Sequence, residues 1–237
     1  MKIYPFIEDF CHKSVVKDNY EDRLLNLCHA FNHADYVVIG AGAGLSTAAG
    51  IAYSGKRFTD NFADFIERYS LTDMYSSAFY PFNTEEERWA YWARHILMNR
   101  YDMPGTDLYR MLFKLVKEKD YFVITTNVDG QFEKSGFESE RIFATQGDYA
   151  YLQCANGCHE KLYNNESLIR NMLGRQRIVE SLRIWFHVAR FVVEKWMYMY
   201  EKTDILCRMP SGMQVMNAIR ITWKRFAAEI LFCWNLV

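Results

Sequence analysis

The chain has 237 residues, enough for one large domain or a main domain with a small insert. Half of them are hydrophobic, with 17 Phe, 16 Tyr and 6 Trp against 12 Gly and 4 Pro, which excludes intrinsic disorder and a collagen-like chain. A net charge of −1 gives no electrostatic footprint for nucleic acid or a membrane surface. The opening MKIYPFIEDFCHK has no charged region followed by an apolar run, no apolar stretch reaches membrane-span length, and six Cys are too sparse for a disulfide scaffold. The expectation is a soluble, cytoplasmic protein with reduced thiols.

In chain order, residues 6–33 read as a helix, with Leu24, Leu25, Cys28 and Phe31 at helical spacing. Tyr36-Val37-Val38-Ile39 is a short continuous apolar run, typical of a buried parallel strand. It leads directly into GAGAGLSTAAGI at residues 40–51. Residues 60–80 and 84–101 read as helices, the second capped by Asn83 or Thr84 with Glu85, Glu86 and Glu87 in its first turn. An amphipathic helix is expected at 106–119, a second buried strand at 121–126 and a third at 141–144. Strands alternate with helices, so the fold class is α/β, with a parallel sheet flanked by helices. In such sheets ligands bind beyond the carboxyl ends of the strands.

Three polar clusters sit at three such ends. Gly40-Ala41-Gly42-Ala43-Gly44 follows a strand and opens a helix. Small residues there let the backbone approach a pyrophosphate, whose charge meets free N–H groups at the helix start. The same loop also fits a tight strand-to-helix turn with no ligand. Thr126-Asn127-Val128-Asp129 offers groups that hydrogen-bond ribose hydroxyls and a carboxamide, and equally suits an Asx-type turn. Gln146-Gly147 ends the third strand.

Taken as a set, the clusters resemble the sirtuin (Sir2) family of NAD-dependent enzymes. The family loop GAG-[IL]-S-x-x-[SA]-G-I is matched by Gly42, Ala43, Gly44, Leu45, Ser46, Ala49, Gly50 and Ile51. Its T-x-N-[IV]-D is matched by Thr125, Asn127, Val128 and Asp129, its HG pair falls on Gln146-Gly147, and a cysteine pair of its zinc module falls on Cys154 and Cys158. The resemblance covers about residues 1–176 and implies a Rossmann-like NAD-binding part over 1–150, with a zinc module starting at 151–176. NAD is the implied substrate. Gly42, Ala43, Gly44, Ser46, Asn127, Asp129 and Gln146 are its implied contacts, and Asn127 and Gln146 the catalytic pair.

Two departures narrow the activity. The chain reads Ala52-Tyr53-Ser54-Gly55 where usual sirtuins have P-x-F-R, and Gln146 replaces the catalytic His. Imidazole accepts a proton near neutral pH and a carboxamide does not. This combination resembles the macrodomain-linked bacterial sirtuins (class M). It implies protein ADP-ribosylation of a lipoyl-carrier protein related to glycine-cleavage protein H, with a macrodomain protein as functional partner. The alternatives are an NAD-dependent protein deacylase and a non-catalytic NAD- or ADP-ribose-binding fragment.

Cys154 and Cys158 supply two thiolates, whereas a structural zinc takes four ligands. The next Cys are Cys207 and Cys233, which form no second close pair, and His159 is a conceivable ligand. Residues 177–237 also change character, with nine Lys and Arg against five Asp and Glu and four of the six Trp. They show neither the second cysteine pair nor the late strand of the family. With each codon begun at the third base of the present one, residues 177–206 permit a string containing CPVCGG, and residues 229–237 permit ILLEFG. The segment 177–237 therefore reads as a non-family tail produced by a frameshift near Arg175–Arg177, the alternative being a divergent helical tail whose Trp and Met form core.

Overall fold

The computed structural model describes residues 19–153, 159, 161–174 and 231–233. The expected sheet is present. Strands β1 (Tyr36–Ala41), β2 (Asp120–Thr125) and β3 (Ile142–Ala144) run parallel, with β2 in the middle. A fourth strand from the tail, Leu231–Cys233, pairs parallel with the other edge of β1. Residues 177–237 were expected to lack a strand of this sheet, and Leu231–Cys233 departs from that reading. The order β3-β2-β1-tail strand leaves the carboxyl ends of β1, β2 and β3 side by side.

Alternation within the strands decides which face packs. Val37 and Ile39 on β1 and Tyr121 and Val123 on β2 are buried together with Tyr109 and Val116 of helix α7 (Asp107–Val116) and Phe132 of the short helix α8 (Gln131–Lys134). Phe31 of α1 (Tyr20–His33) packs against the same cluster. Helix α1 is capped by Asn19, whose Oδ1 accepts from Glu21 N at 2.7 Å and Asp22 N at 3.0 Å. Residues 6–18 of the expected first helix lie outside the described residues.

Between β1 and α7 the chain builds a helical lobe. The single helix expected over 60–80 is instead α3 (Lys56–Asn61), α4 (Ala63–Tyr69) and α5 (Met74–Ser77), preceded by α2 (Ala43–Ala48) in the glycine loop. The breaks have local causes. Ser70 adopts the left-handed conformation (φ 54°) that stops α4, and Asp73 caps α5 by accepting from Ser76 N at 2.8 Å. The gain is a close aromatic cluster in which Phe58, Phe62, Phe65 and Tyr91 bury their rings together with Met74 and Leu71. Each ring buried this way contributes roughly 2–3 kcal/mol of transfer free energy, enough to override helix continuity.

Helix α6 (Glu85–Ile96) starts at Thr84, whose Oγ1 accepts from Glu87 N at 3.2 Å, so Thr84 rather than Asn83 is the cap. It continues as a π-helical turn, Leu97–Tyr101. Helix α6 packs through Trp89, Ala93 and Ile96 against Ile169 and Met172 of α9 (Glu166–Gly174) and against Leu152 of β4 (Tyr151–Leu152). Strand β4 pairs antiparallel with β5 (Tyr163–Asn164). The loop between them carries Cys154 and Cys158, which lie outside the described residues. No helix among the described residues is long and apolar enough to cross a membrane.

Candidate active site

The carboxyl ends of β1, β2 and β3 open into a cavity of about 590 Å³, a size suited to a cofactor-sized molecule. Ala43, Ser46, Asn127, Asp129 and Gln146 line one side of it, so five of the seven expected contacts converge on one space, and Gly42 and Gly44 are not among the lining residues. Its apolar wall is given by Tyr53, Phe79, Trp89, Trp92 and Ile96 from the helical lobe.

Each polar residue is placed by the strand before it. Gly42 caps α2, and Leu45 N bonds back to Gly42 O at 3.0 Å. A Cβ on Gly42 would meet only Thr126 Oγ1, at 3.5 Å, and its φ of −135° suits any residue. Among the described residues nothing requires glycine there. Gly44 is exposed one turn position further on. After β2, Thr126 N bonds to Ala41 O at 3.0 Å and ties the second loop to the first. After β3, Thr145 N bonds to Thr125 O at 2.8 Å, and Tyr149 N to Val128 O at 3.0 Å, which sets Gln146 in the cavity wall.

Ser46 and Asp129 are buried and bonded to one another, Ser46 Oγ donating to Asp129 Oδ2 at 2.7 Å. Asp129 Oδ1 accepts from Gln131 N at 3.1 Å. The Asn127 side-chain amide donates to Gly42 O at 2.9 Å, to Ser46 Oγ at 3.1 Å and to Tyr109 OH at 3.1 Å. One amide thus links the glycine loop, the β2 loop and α7.

Several contributors had no local signal in the sequence. Tyr109 lies on the buried face of an amphipathic helix, where a Tyr reads as ordinary core. Arg57 is held by Asn99 Oδ1 at 2.8 Å, Met98 O at 3.1 Å and Ala52 O at 3.2 Å, bracing the segment that departs from P-x-F-R. Arg100, in the π-helical turn, grips Asp148 with two bonds, Nε to Oδ1 at 2.6 Å and a terminal nitrogen to Oδ2 at 2.9 Å. Burial lowers the Arg100 pKa, and the Asp148 carboxylate overcomes this and holds it above its usual value. Gly130, in the left-handed region (φ 64°), lies against the same guanidinium, where any Cβ would collide. Lys134 donates to Arg100 O and to Met103 O, and burial first, then Arg100, pulls its pKa down to about 8.

The cavity's one histidine among the described residues is His95, which is 0% exposed. Its Nδ1 lies 3.3 Å from Tyr91 OH and its Nε2 3.2 Å from Tyr149 OH. Burial, reinforced by Arg57, pushes its pKa down to about 3, so the ring is neutral near pH 7. Among the described residues no three His, Cys, Asp or Glu side chains gather as metal ligands. His159 is exposed, with Nε2 3.4 Å from Tyr163 OH.

The Sir2 family model matches residues 42–202, which takes in the glycine loop, the Asn127 and Gln146 clusters and the first part of the tail. A protein ADP-ribosyltransferase of Staphylococcus aureus (strain Mu50 / ATCC 700699) is 41% identical over 177 residues, 75% of this chain and 56% of that protein. A probable bifunctional ADP-ribose hydrolase/ADP-ribosyltransferase of Fusarium oxysporum f. sp. cubense is 38% identical over 129 residues, 53% of this chain and 21% of that one. The chain therefore spans about half the length of the first relative and about a fifth of the second. Among solved structures, a Sir2 homologue–NAD complex aligns with 62% of this chain and 52% of its own at 16% identity, with a TM-score of 0.40. With a family model covering more than half its length, and with the glycine-loop, Asn127–Asp129 and Gln146 clusters lining one cavity, the chain belongs to the Sir2 family.

Proposed function

We propose that this chain is an NAD-dependent protein ADP-ribosyltransferase. The observation that carries the reading is the chemistry of the cavity wall. Gln146 stands at the end of β3, and the one histidine lining the cavity among the described residues is buried, neutral and bonded to two tyrosines. Deacylation needs a base that activates a ribose hydroxyl, and a carboxamide holds a hydroxyl without taking its proton. Transfer asks less of the site. The bond from ribose C1′ to the nicotinamide nitrogen breaks, and its electron pair leaves with nicotinamide. A protein nucleophile then bonds to C1′ and gives its proton to solvent. The protein supplies orientation and electrostatic stabilisation of the positive charge on the ribose.

In this reading the glycine loop and the start of α2 receive the pyrophosphate, and Asn127 and Gln146 hold the nicotinamide ribose. The name of the 41% identical relative supports the transfer activity. The acceptor we favour is a lipoylated carrier protein of the cytoplasm. A macrodomain protein would remove the modification, a pairing consistent with the double name of the second relative. Cys154 and Cys158 would begin a structural zinc site, completed when the frame near codon 176 is restored. The nucleotide sequence at that codon tests this part alone.

The function is tested with Gln146→His. The parent protein, given NAD and an acetyl-lysine peptide, should leave the peptide acetylated, and the variant, which gains an imidazole base, should bind NAD and begin to deacetylate the peptide. Robust deacetylation by the parent would replace the transferase reading with the deacylase one.

A further inference from the structure

The hydrogen bonds around Asn127 run in one direction. The Ser46 hydroxyl donates its one proton to Asp129 Oδ2, at 2.7 Å. Ser46 Oγ is therefore only an acceptor toward Tyr109 OH at 2.8 Å and Asn127 Nδ2 at 3.1 Å. Tyr109 has then spent its own proton on Ser46, so its oxygen only accepts from Asn127 Nδ2, at 3.1 Å. Gly42 O is an acceptor by nature and takes the same amide at 2.9 Å. Asn127 thus faces three acceptors, and only its NH₂ end satisfies them. Turned over, its Oδ1 would stand against three oxygens with no proton between them. Oδ1 takes no bond from the described residues, and Asn127 lines the cavity.

We propose that Tyr109 is a positioning residue: with Ser46 it converts the charge of Asp129 into one fixed orientation of the Asn127 amide, with its oxygen turned to the cavity. An acceptor fixed there suits a ribose hydroxyl and the positive charge that develops on the ribose as nicotinamide leaves. Tyr109 is not among the residues that line the cavity. It is 0% exposed and lies edge-on to Phe132 with ring centroids 4.9 Å apart. The inference rests on the transferase reading for what the oxygen does, and on the hydrogen bonds alone for the lock itself.

Two experiments separate these layers. Tyr109→Phe keeps the ring on Phe132 and deletes one of the three acceptors. Nicotinamide release at saturating NAD should fall about tenfold while the NAD dissociation constant, read by calorimetry, changes less than about threefold. A rate within twofold of the parent would overturn the role of Tyr109. The second experiment exchanges the two side chains and needs no turnover. Asn127→Asp alone places a carboxylate against three acceptors and should lower the melting temperature and weaken NAD binding. Adding Asp129→Asn releases the Ser46 proton, which then turns to the new carboxylate at position 127. The double variant should melt at least about 3 °C above the value expected by adding the single changes. Additive single effects would overturn the lock. A parent that binds NAD but releases no nicotinamide would overturn the transferase reading, and the exchange would still decide the lock.

Discussion

Replacing Arg100 by Met should damage the site from a distance. Arg100 and Asp148 are each 15% exposed and joined by two bonds, and Asp148 Oδ1 also accepts from Ala150 N at 2.6 Å. Methionine fills much of the same space and removes the charge, so Asp148 is left nearly buried without a counter-ion. Breaking a fully buried pair costs about 3–5 kcal/mol, and the residual solvent contact here lowers that to about 2–4 kcal/mol. For a chain of this size the loss corresponds to a fall of roughly 4–16 °C in melting temperature. Asp148 follows Gln146-Gly147 directly, so the same change should free the loop that sets Gln146 in the cavity wall and weaken NAD binding. Scanning calorimetry and NAD titration read both effects. Arg100→Met combined with Asp148→Asn removes the stranded charge and should recover part of the stability. Unchanged melting and NAD affinity in Arg100→Met would refute the assigned role of the pair.

Other changes separate binding, transfer and stability. Asn127→Ala removes the amide that donates to Gly42 O, Ser46 and Tyr109, and should slow transfer on the order of a hundredfold, measured as nicotinamide release. Gly44→Trp adds a large side chain at an exposed position of the glycine loop, and should abolish NAD binding in titration while the circular dichroism of the sheet persists. His95, held neutral by burial and then by Arg57, makes stability depend on pH. Its folded pKa of about 3 lies below its unfolded value, so the unfolded chain takes up the proton first. Stability should therefore fall as pH drops from about 6.5 toward 3, by about 2 kcal/mol at pH 5, and His95→Gln should flatten that limb in denaturant titrations.

The strands were legible because a buried parallel strand is a short apolar run, and the glycine and Asn-Asp clusters were legible because they end such runs. The start of α6 was legible as Asn83 or Thr84 because three acidic residues follow, and the bond from Glu87 N to Thr84 Oγ1 decides between them. The break of 60–80 into three helices was not. It depends on Ser70 adopting a left-handed turn and on Phe58, Phe62 and Tyr91 meeting in space, and neither is local. Site residues were found singly and their partnerships were missed. Ser46 and Asp129, expected against a ligand, bond to each other across 83 residues. Tyr109 and Arg100 act only through contacts that the fold creates, and their own neighbours in sequence carry no sign of it. The segment 177–237 resembled no part of the domain, yet Leu231–Cys233 pairs with β1.

The proposed activity is transfer of ADP-ribose to protein, without NAD-dependent deacylation. The most direct measurement incubates the purified protein with NAD labelled in its adenylate part, a lipoylated carrier protein and an acetyl-lysine peptide in one vessel. Label should appear on the carrier and survive denaturation, nicotinamide should be released in equal amount, and the peptide should stay acetylated. Loss of the acetyl group with the carrier unlabelled would contradict it.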